Sequence, residues 1–285
     1  MTALKVYSGN PSPLATEAGN QGGLVRGTRI IGLVTLAFVI VALLLLSAQN
    51  APAQSPVVRV MTSDGAEPAL TALRPQIEKS IACKLEVESS SSKNLVDKIK
   101  AGEPFDVALL TTATIDDLVK AGRIRPDSRV AFARAGVGVG IRSGAPKVDV
   151  STPEALKQAL LNAKSITFNS TGATTAIITK MFDSLGVTEA VKSKLLTSAI
   201  SGVAQQNVID GKADLILILI PEVRGYPGLD YLGPLPGNLQ TYINFVGGVA
   251  TSASDPAAAK AVLHSFNTPA GATILRDKGM EPAAQ

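Results

Sequence analysis

Four consecutive serines, Ser89 to Ser92, stand immediately before an amphipathic segment, Asn94 to Lys100, in which Leu95, Val96 and Ile99 fall at helical spacing. The first backbone N–H groups of a helix have no partner within it, and a hydroxyl placed there caps them. The same position suits an anion or a carbonyl oxygen, because unpaired N–H groups and the positive end of the helix dipole meet there. Similar turns recur along the chain: Thr62-Ser63-Asp64-Gly65 after VVRVM, Thr111 to Thr114 after DVALL, and Asn169 to Thr175 (NSTGATT) after SITF. Capping explains one such turn by itself. Their repetition at strand ends points instead to a shared ligand.

Catalytic groupings are sparse. His264 is the only histidine and lies on an amphipathic helix with Val262, Leu263 and Phe266, with no nucleophile or carboxylate constellation beside it. There is no Gly-x-Ser-x-Gly, no phosphate loop with its lysine and no pair of histidine ligands. Asp116 and Asp117 are adjacent, so they do not share a helix face. The alternation Gly136-Val137-Gly138-Val139-Gly140 lacks the third glycine spacing and the following helix of a nucleotide turn, and reads as a bent crossing strand. A protein that binds rather than catalyses is expected, with no cofactor and no metal.

The elements that position the hydroxyl turns follow a regular grammar. Val57 to Met61 is a strand, followed by a turn and a helix from Glu67 to Lys79 with Pro68 in its first turn and Ala69, Leu70, Leu73 and Ile77 on one face. Lys84 to Glu88 is a strand before the serines, and Asp106 to Leu110 a buried strand before Thr111 and a helix ending near Ala121. Three strand-to-helix units predict a mainly parallel sheet with covering helices, whose ligands bind at the carboxyl ends of the strands. Beyond Gly122, Arg129 to Ile141 is an extended run able to leave one lobe and enter another. Then come a helix over Thr152 to Leu161, a strand over Ser165 to Phe168 and a helix running from the NSTGATT turn to Leu185. A short helix over Val203 to Ile209, a strand over Ala213 to Ile220 ended by Pro221, and a strand over Tyr242 to Ala250 follow. Helices over Pro256 to Phe266 and Pro269 to Lys278 close the chain.

The chain has 285 residues, room for two modest domains plus an export segment. Ile30 to Leu46 are 17 uncharged, almost wholly apolar residues, preceded by Arg26 and Arg29 and followed by Ala51-Pro52-Ala53. These are the parts of a secretory signal cleaved after Ala53. The run also approaches the ~20 residues that span a bilayer, so a retained anchor that keeps membrane contact stays open. A translation start near Leu24 or Val25 would give a signal of ordinary length. Without residues 1–53 the chain keeps 24 basic and 22 acidic residues, since only Lys5, Arg26, Arg29 and Glu17 are lost. That near balance, with no basic tract, argues against a nucleic-acid partner. Cys83 is the only cysteine and has no disulfide partner in the chain, which suits a small packed residue.

Three stretches carry a family resemblance: Val57 to Met61 with its turn; Ser91-Ser92-Lys93-Asn94-Leu95 with Lys98 to Val107 (KIKAGEPFDV); and Pro269-Ala270-Gly271 through Gly279-Met280-Glu281-Pro282. Together they resemble the extracytoplasmic solute-binding proteins of ABC transporters, most nearly the molybdate-binding branch, over about residues 55–283. The resemblance implies an α/β periplasmic-binding-protein-like fold of two lobes, each a mainly parallel sheet flanked by helices, joined by two hinge crossings. Lobe 1 would comprise residues 54–133 and 240–285, and lobe 2 residues 134–239. It further implies a periplasmic transport protein, a monomer, that holds a small oxyanion such as molybdate with neutral donors and passes it to a permease and its ATPase.

Carried over by position, Ser92 matches a hydroxyl ligand, Ala173 or Thr174 a donor at a second-lobe helix start, and Ser201 or Gly202 the next backbone donor. The candidate site is therefore Ser63, Asp64, Gly65, Ser91, Ser92 and Thr111 on one lobe, with Ser170, Thr171, Ala173, Thr174, Ser201 and Gly202 on the other. Two positions depart from the branch: its first-turn serine falls at Gly65 and its tyrosine at Leu219. An inward Asp64 would also repel an anion. A different oxyanion or a small organic solute is therefore an open alternative, as is a membrane-tethered sensor or scaffold on the same lobes.

Overall fold

Strand β1 (Val57–Ser63) pairs in parallel with β2 (Lys84–Ser90) on one side and β3 (Val107–Thr111) on the other. These pairings belong to a computed structural model that describes residues 56–284. Helix α1 (Glu67–Ile81) covers one face of this sheet and buries the expected Ala69, Leu70, Leu73 and Ile77. Helices α2 (Ser92–Ala101) and α3 (Thr112–Lys120) cover the other, burying Leu95 and Ile99 against Met61, Leu110 and Ile115. Val107 to Leu110 are fully enclosed, as a strand covered on both faces must be. Asp106, itself buried, accepts the Arg59 N–H (2.8 Å) and the Ser254 N–H (3.0 Å), tying β1 to the entry of the C-terminal helices.

The long strand β4 (Val130–Arg142) runs through both lobes. Its first part pairs antiparallel with β8 (Tyr242–Val249), the last register partners being Gly136 and Tyr242. From Val137 onward it pairs with β6 (Leu215–Leu219) and from Gly138 with β7 (Leu229–Pro234), both antiparallel. The parallel pairs are thus β1–β2, β1–β3 and β5–β6, with β5 at Ile166–Thr167; the crossing and returning strands make the whole sheet mixed. A short strand β9 (Glu281–Pro282) completes the pairing on β4. At the second crossing, Gln240 accepts the Val137 N–H (2.9 Å) and donates to the Val137 carbonyl (2.8 Å). The lack of a side chain at Gly136 admits that amide: a Cβ there would stand 2.7 Å from Gln240 Nε2.

The second lobe adds α4 (Pro153–Asn162), α5 (Thr175–Leu185), α6 (Thr188–Lys192), α7 (Val203–Ile209) and α8 (Ile220–Gly225). Helix α8, strand β7 and helix α6 lie where the sequence pattern shows only loop, being too short for a clear period. The Gly136 to Gly140 alternation has a packing role. Val137, Val139 and Ile141 fill the lobe core on one face of β4. On the other face, a Cβ at Gly138 would meet Tyr231 and Ile220, and one at Gly140 would meet Val223 and Ile216, each at about 3 Å or less for the nearer atom. The glycines therefore let α8 lie directly on the strand.

Helices α9 (Pro256–Phe266) and α10 (Pro269–Asp277) return to the first lobe, where Phe132 stacks at 4.7 Å from Phe266 and 6.1 Å from Phe245. His264 is exposed, and Cys83 is buried with its thiol donating to the Ile81 carbonyl. The signal or anchor expected within residues 1–53 lies outside the described residues; among the described ones, no helix is long and apolar enough to cross a membrane.

Candidate functional site

The carboxyl ends of β1, β3 and β6 and the starts of α2 and α5 converge on a narrow cavity of about 30 Å³ between the lobes. Ser63, Asp64, Gly65, Ser91, Ser92, Thr111, Ala173 and Thr174, eight of the expected residues, line it together. Ser201 and Gly202 line a wider vestibule of about 240 Å³ that shares Asp64 and Glu222 with the inner cavity. Ser170 and Thr171 line neither. The Thr171 hydroxyl is spent on Asn169 Oδ1 (3.1 Å), and the Ser170 N–H on the Ser198 carbonyl (2.9 Å), so both serve the turn itself.

The hydroxyls differ in what they have left to give. Ser91 caps α2, accepting the Asn94 N–H at 3.3 Å, and Thr111 shares a hydrogen bond with Thr114 (2.7 Å). Ser63 stands apart: its hydroxyl is buried and has no hydrogen-bond partner among the described residues. Leaving such a group unsatisfied costs roughly 1–3 kcal/mol. At the start of α5, the N–H groups of Gly172 and Thr175 are used within the turn, while Ala173 and Thr174 between them border the cavity. First-turn N–H groups have no partner inside their helix, so the two helix starts add donors from both lobes.

Gly65 and Leu219, the two departures from the molybdate-binding pattern, touch. A Cβ on Gly65 would stand 2.4 Å from Leu219 Cδ1 and 3.0 Å from the Phe245 ring. Leu219 reaches across from the second lobe and packs in the core of the first. One change therefore accompanies the other: leucine occupies the space that a serine at 65 would need. Asp64 points inward as feared, with Ser89 donating to it (3.1 Å) and the Ser201 hydroxyl bonding it from the opposite lobe.

The sequence reading missed Glu222, which lines both the cavity and the vestibule. Pro221 reads as the end of a strand, but Pro followed by Glu is also how a helix starts, and α8 begins there. Asn169, Ile218 and Phe245 were also missed as lining residues. Glu222 keeps some contact with solvent through the vestibule, yet protein atoms crowd its carboxyl. Desolvation, with the Asp64 charge adding to it, pushes its pKa up to about 8. Asp64 is raised as well, chiefly by burial and partly by Glu67, against the lowering effect of its two serine partners. No Lys or Arg lines the cavity or the vestibule. An ionised carboxyl 5 Å from a bound unit anion, at an effective dielectric constant of 20, would cost about 3 kcal/mol.

A larger cavity of about 550 Å³ lies on the outside of the second lobe, between the end of β4, α4 and residues 211–215. It borders no strand-end hydroxyl turn, and the donors of the cleft do not reach it.

A sequence family described as bacterial extracellular solute-binding protein matches residues 58–281. The chain belongs to this family. As a solute-binding protein it is 28% identical over 248 residues to a Pseudomonas protein named aconitate isomerase, covering 84% of this chain and 94% of that one. It is 26% identical over 235 residues to the molybdate-binding protein ModA of Azotobacter vinelandii, covering 80% and 90%. Among solved structures, an Azotobacter vinelandii periplasmic molybdate-binding protein superimposes with a TM-score of 0.68 at 19% identity, over 80% of this chain and all of that one. The two-lobed α/β binding-protein fold is thus shared. The family acts outside the cytoplasm, binds small solutes and works with ABC permeases.

Proposed function

We propose that this solute-binding protein captures a small organic carboxylate, or another oxyanion that carries a protonated group, between its lobes. The observation that supports the reading is the Ser63 hydroxyl, buried and without a partner among the described residues, on a residue that lines the cavity bordered by the starts of α2 and α5. A dianion held by neutral donors needs no counter-charge and is freed when the lobes part. A bare tetrahedral oxyanion such as molybdate uses only this donor side and meets Asp64 and Glu222 on the other. An organic acid can satisfy both sides. The solute would then pass to an ABC permease and its ATPase.

Thermal unfolding of the full chain with molybdate, tungstate, sulfate, citrate and cis- and trans-aconitate tests this. A true ligand at a hundredfold excess over its Kd adds about 2.7 kcal/mol of stability. A rise with organic acids supports the reading, a rise with molybdate or tungstate alone restores the metal oxyanion, and no rise with any anion removes it.

A second reading has its own observation. Glu222, a carboxyl pushed up to a pKa of about 8 in the cavity proposed to hold an organic acid, is placed as a proton-transfer group would be. Isomerisation of an organic acid by proton transfer would use it, and one relative is named aconitate isomerase. Proton NMR of trans-aconitate incubated with the chain in heavy water decides this reading. Interconversion with deuterium uptake supports it, and unchanged spectra under conditions where aconitate binds exclude it.

A further inference from the structure

Glu222 sits where two features of the fold meet. The alternating glycines of β4 let α8 lie flat on the strand, which delivers the third residue after the buried strand β6 to the cleft. It lines the same cavity as the donors: Ser63 and Ser92 come from the first lobe, and Thr174 from the second lobe, to which Glu222 also belongs. The carboxyl takes one long hydrogen bond, from Gln205 Nε2 to Oε2 at 3.4 Å. Its titratable neighbours are acids. Asp64 and Glu67 face it from the turn after β1 and the start of α1, and Tyr226 lines the vestibule from the end of α8. Arg224, on its own helix, is engaged over the Tyr231 ring at 4.9 Å, and the other elements packed against α8 offer the cleft no cation.

A carboxylate in this place would face a bound anion with nothing to neutralise either. As a carboxylic acid it becomes a hydrogen-bond donor, whereas Ser89, Ser201 and Gln205 beside it are already engaged with Asp64 and with Glu222 itself. We propose that Glu222 selects the solute: it closes over the ligand as a neutral carboxylic acid and donates a hydrogen bond to a carboxylate of a small organic polyacid, whose other end is held by Ser63 and the two helix starts. Capture of the solute is then capture of an anion together with a proton. The inference rests on the reading of the cleft as an anion receptor. Its direction agrees with the upward push that burial and Asp64 exert on this carboxyl.

The test is calorimetric titration of the full chain with propane-1,2,3-tricarboxylate and, separately, molybdate, in two buffers of different ionisation enthalpy, at pH values from about 7 to 9, where the tricarboxylate is fully ionised. Wild-type protein is expected to take up close to one proton per tricarboxylate near the top of this range, with affinity falling by up to about tenfold per pH unit. Glu222→Gln should bind with no uptake and a flat profile, while Asp64→Asn should keep the slope. The proposal is overturned if wild-type protein binds the tricarboxylate without proton uptake, if Glu222→Gln keeps the slope, or if Asp64→Asn abolishes it. Tighter binding of molybdate than of the tricarboxylate overturns the selection while leaving the anion receptor standing. Binding of neither anion removes the receptor reading, and the inference with it.

Discussion

The two sides of the cleft are built from the same kind of local structure, a strand ending in a short turn and a helix start, yet they offer opposite chemistry. Around Ser63, Ser92 and Thr174 the cavity is lined by hydroxyl residues and by helix starts, whose first N–H groups have no partner inside their own helix. Around Asp64, Glu67 and Glu222 they present carboxyls with no cation among the residues lining the cleft. The difference teaches that a helix start alone does not define what a site binds; the side chains that close over it decide whether a bare anion or a proton-carrying one fits.

The acidic side provides the largest expected effect. Between the ordinary carboxyl value of 4.5 and about 8, Glu222 in the folded chain holds a proton that the unfolded chain has released. The folded state binds more protons there, so stability falls as pH rises through that window, by up to about 1.4 kcal/mol per pH unit. Asp64, also raised, adds in the same direction. Urea unfolding of wild type and Glu222→Gln from about pH 5 to 8 should show the full slope in the first and a much smaller one, the part that Asp64 contributes, in the second. Equal slopes would mean that the two sides of the cleft do not differ in protonation.

On the donor side, Ser63→Ala removes a hydroxyl that has no partner among the described residues. Affinity for a charged solute should drop by about 1.5–3 kcal/mol, while the stability of the free chain stays level or rises, because an unsatisfied buried group is gone. A fall in free-chain stability together with unchanged affinity would make Ser63 a structural residue.

The seam between the sides is tested by Gly65→Ser, which puts a Cβ 2.4 Å from Leu219 Cδ1. Overpacking there should cost about 1–3 kcal/mol, and Leu219→Ala in the same chain should recover most of it. Thermal unfolding of the single and double variants reads this directly; absence of rescue would show that Leu219 does not hold the space. The smallest effect is expected at the hinge. Gln240→Ala deletes both hydrogen bonds to Val137 and should lower stability by about 1–2 kcal/mol, seen as a shifted urea midpoint.

The legibility of this protein varied with element length. Helices Val203–Ile209 and Pro256–Phe266 stand at the residues their periodicity predicts. Helix α8, with six residues, carries less than two turns of pattern, and its Pro221 reads equally as a strand stop. Glu222 was lost with it. The hydroxyl turns were visible because their types repeat at strand ends. That Ser63 is free whereas Thr171 is occupied could not be read, since both are hydroxyls in polar turns and their partners lie elsewhere in the chain.

The order of strands and helices, the apolar faces and the hydroxyl-bearing turns follow from residue type and spacing, because each depends on neighbours a few positions away. The meaning of Gly65 and Leu219 as one packed pair, the use of the β4 glycines as a bed for α8, and the meeting of Asp64 with Glu222 depend on groups more than 70 residues apart. Those distances close only when β4 and the chain before β8 cross between the lobes, so the donors were written in local sequence and their acidic counterpart was decided by the fold.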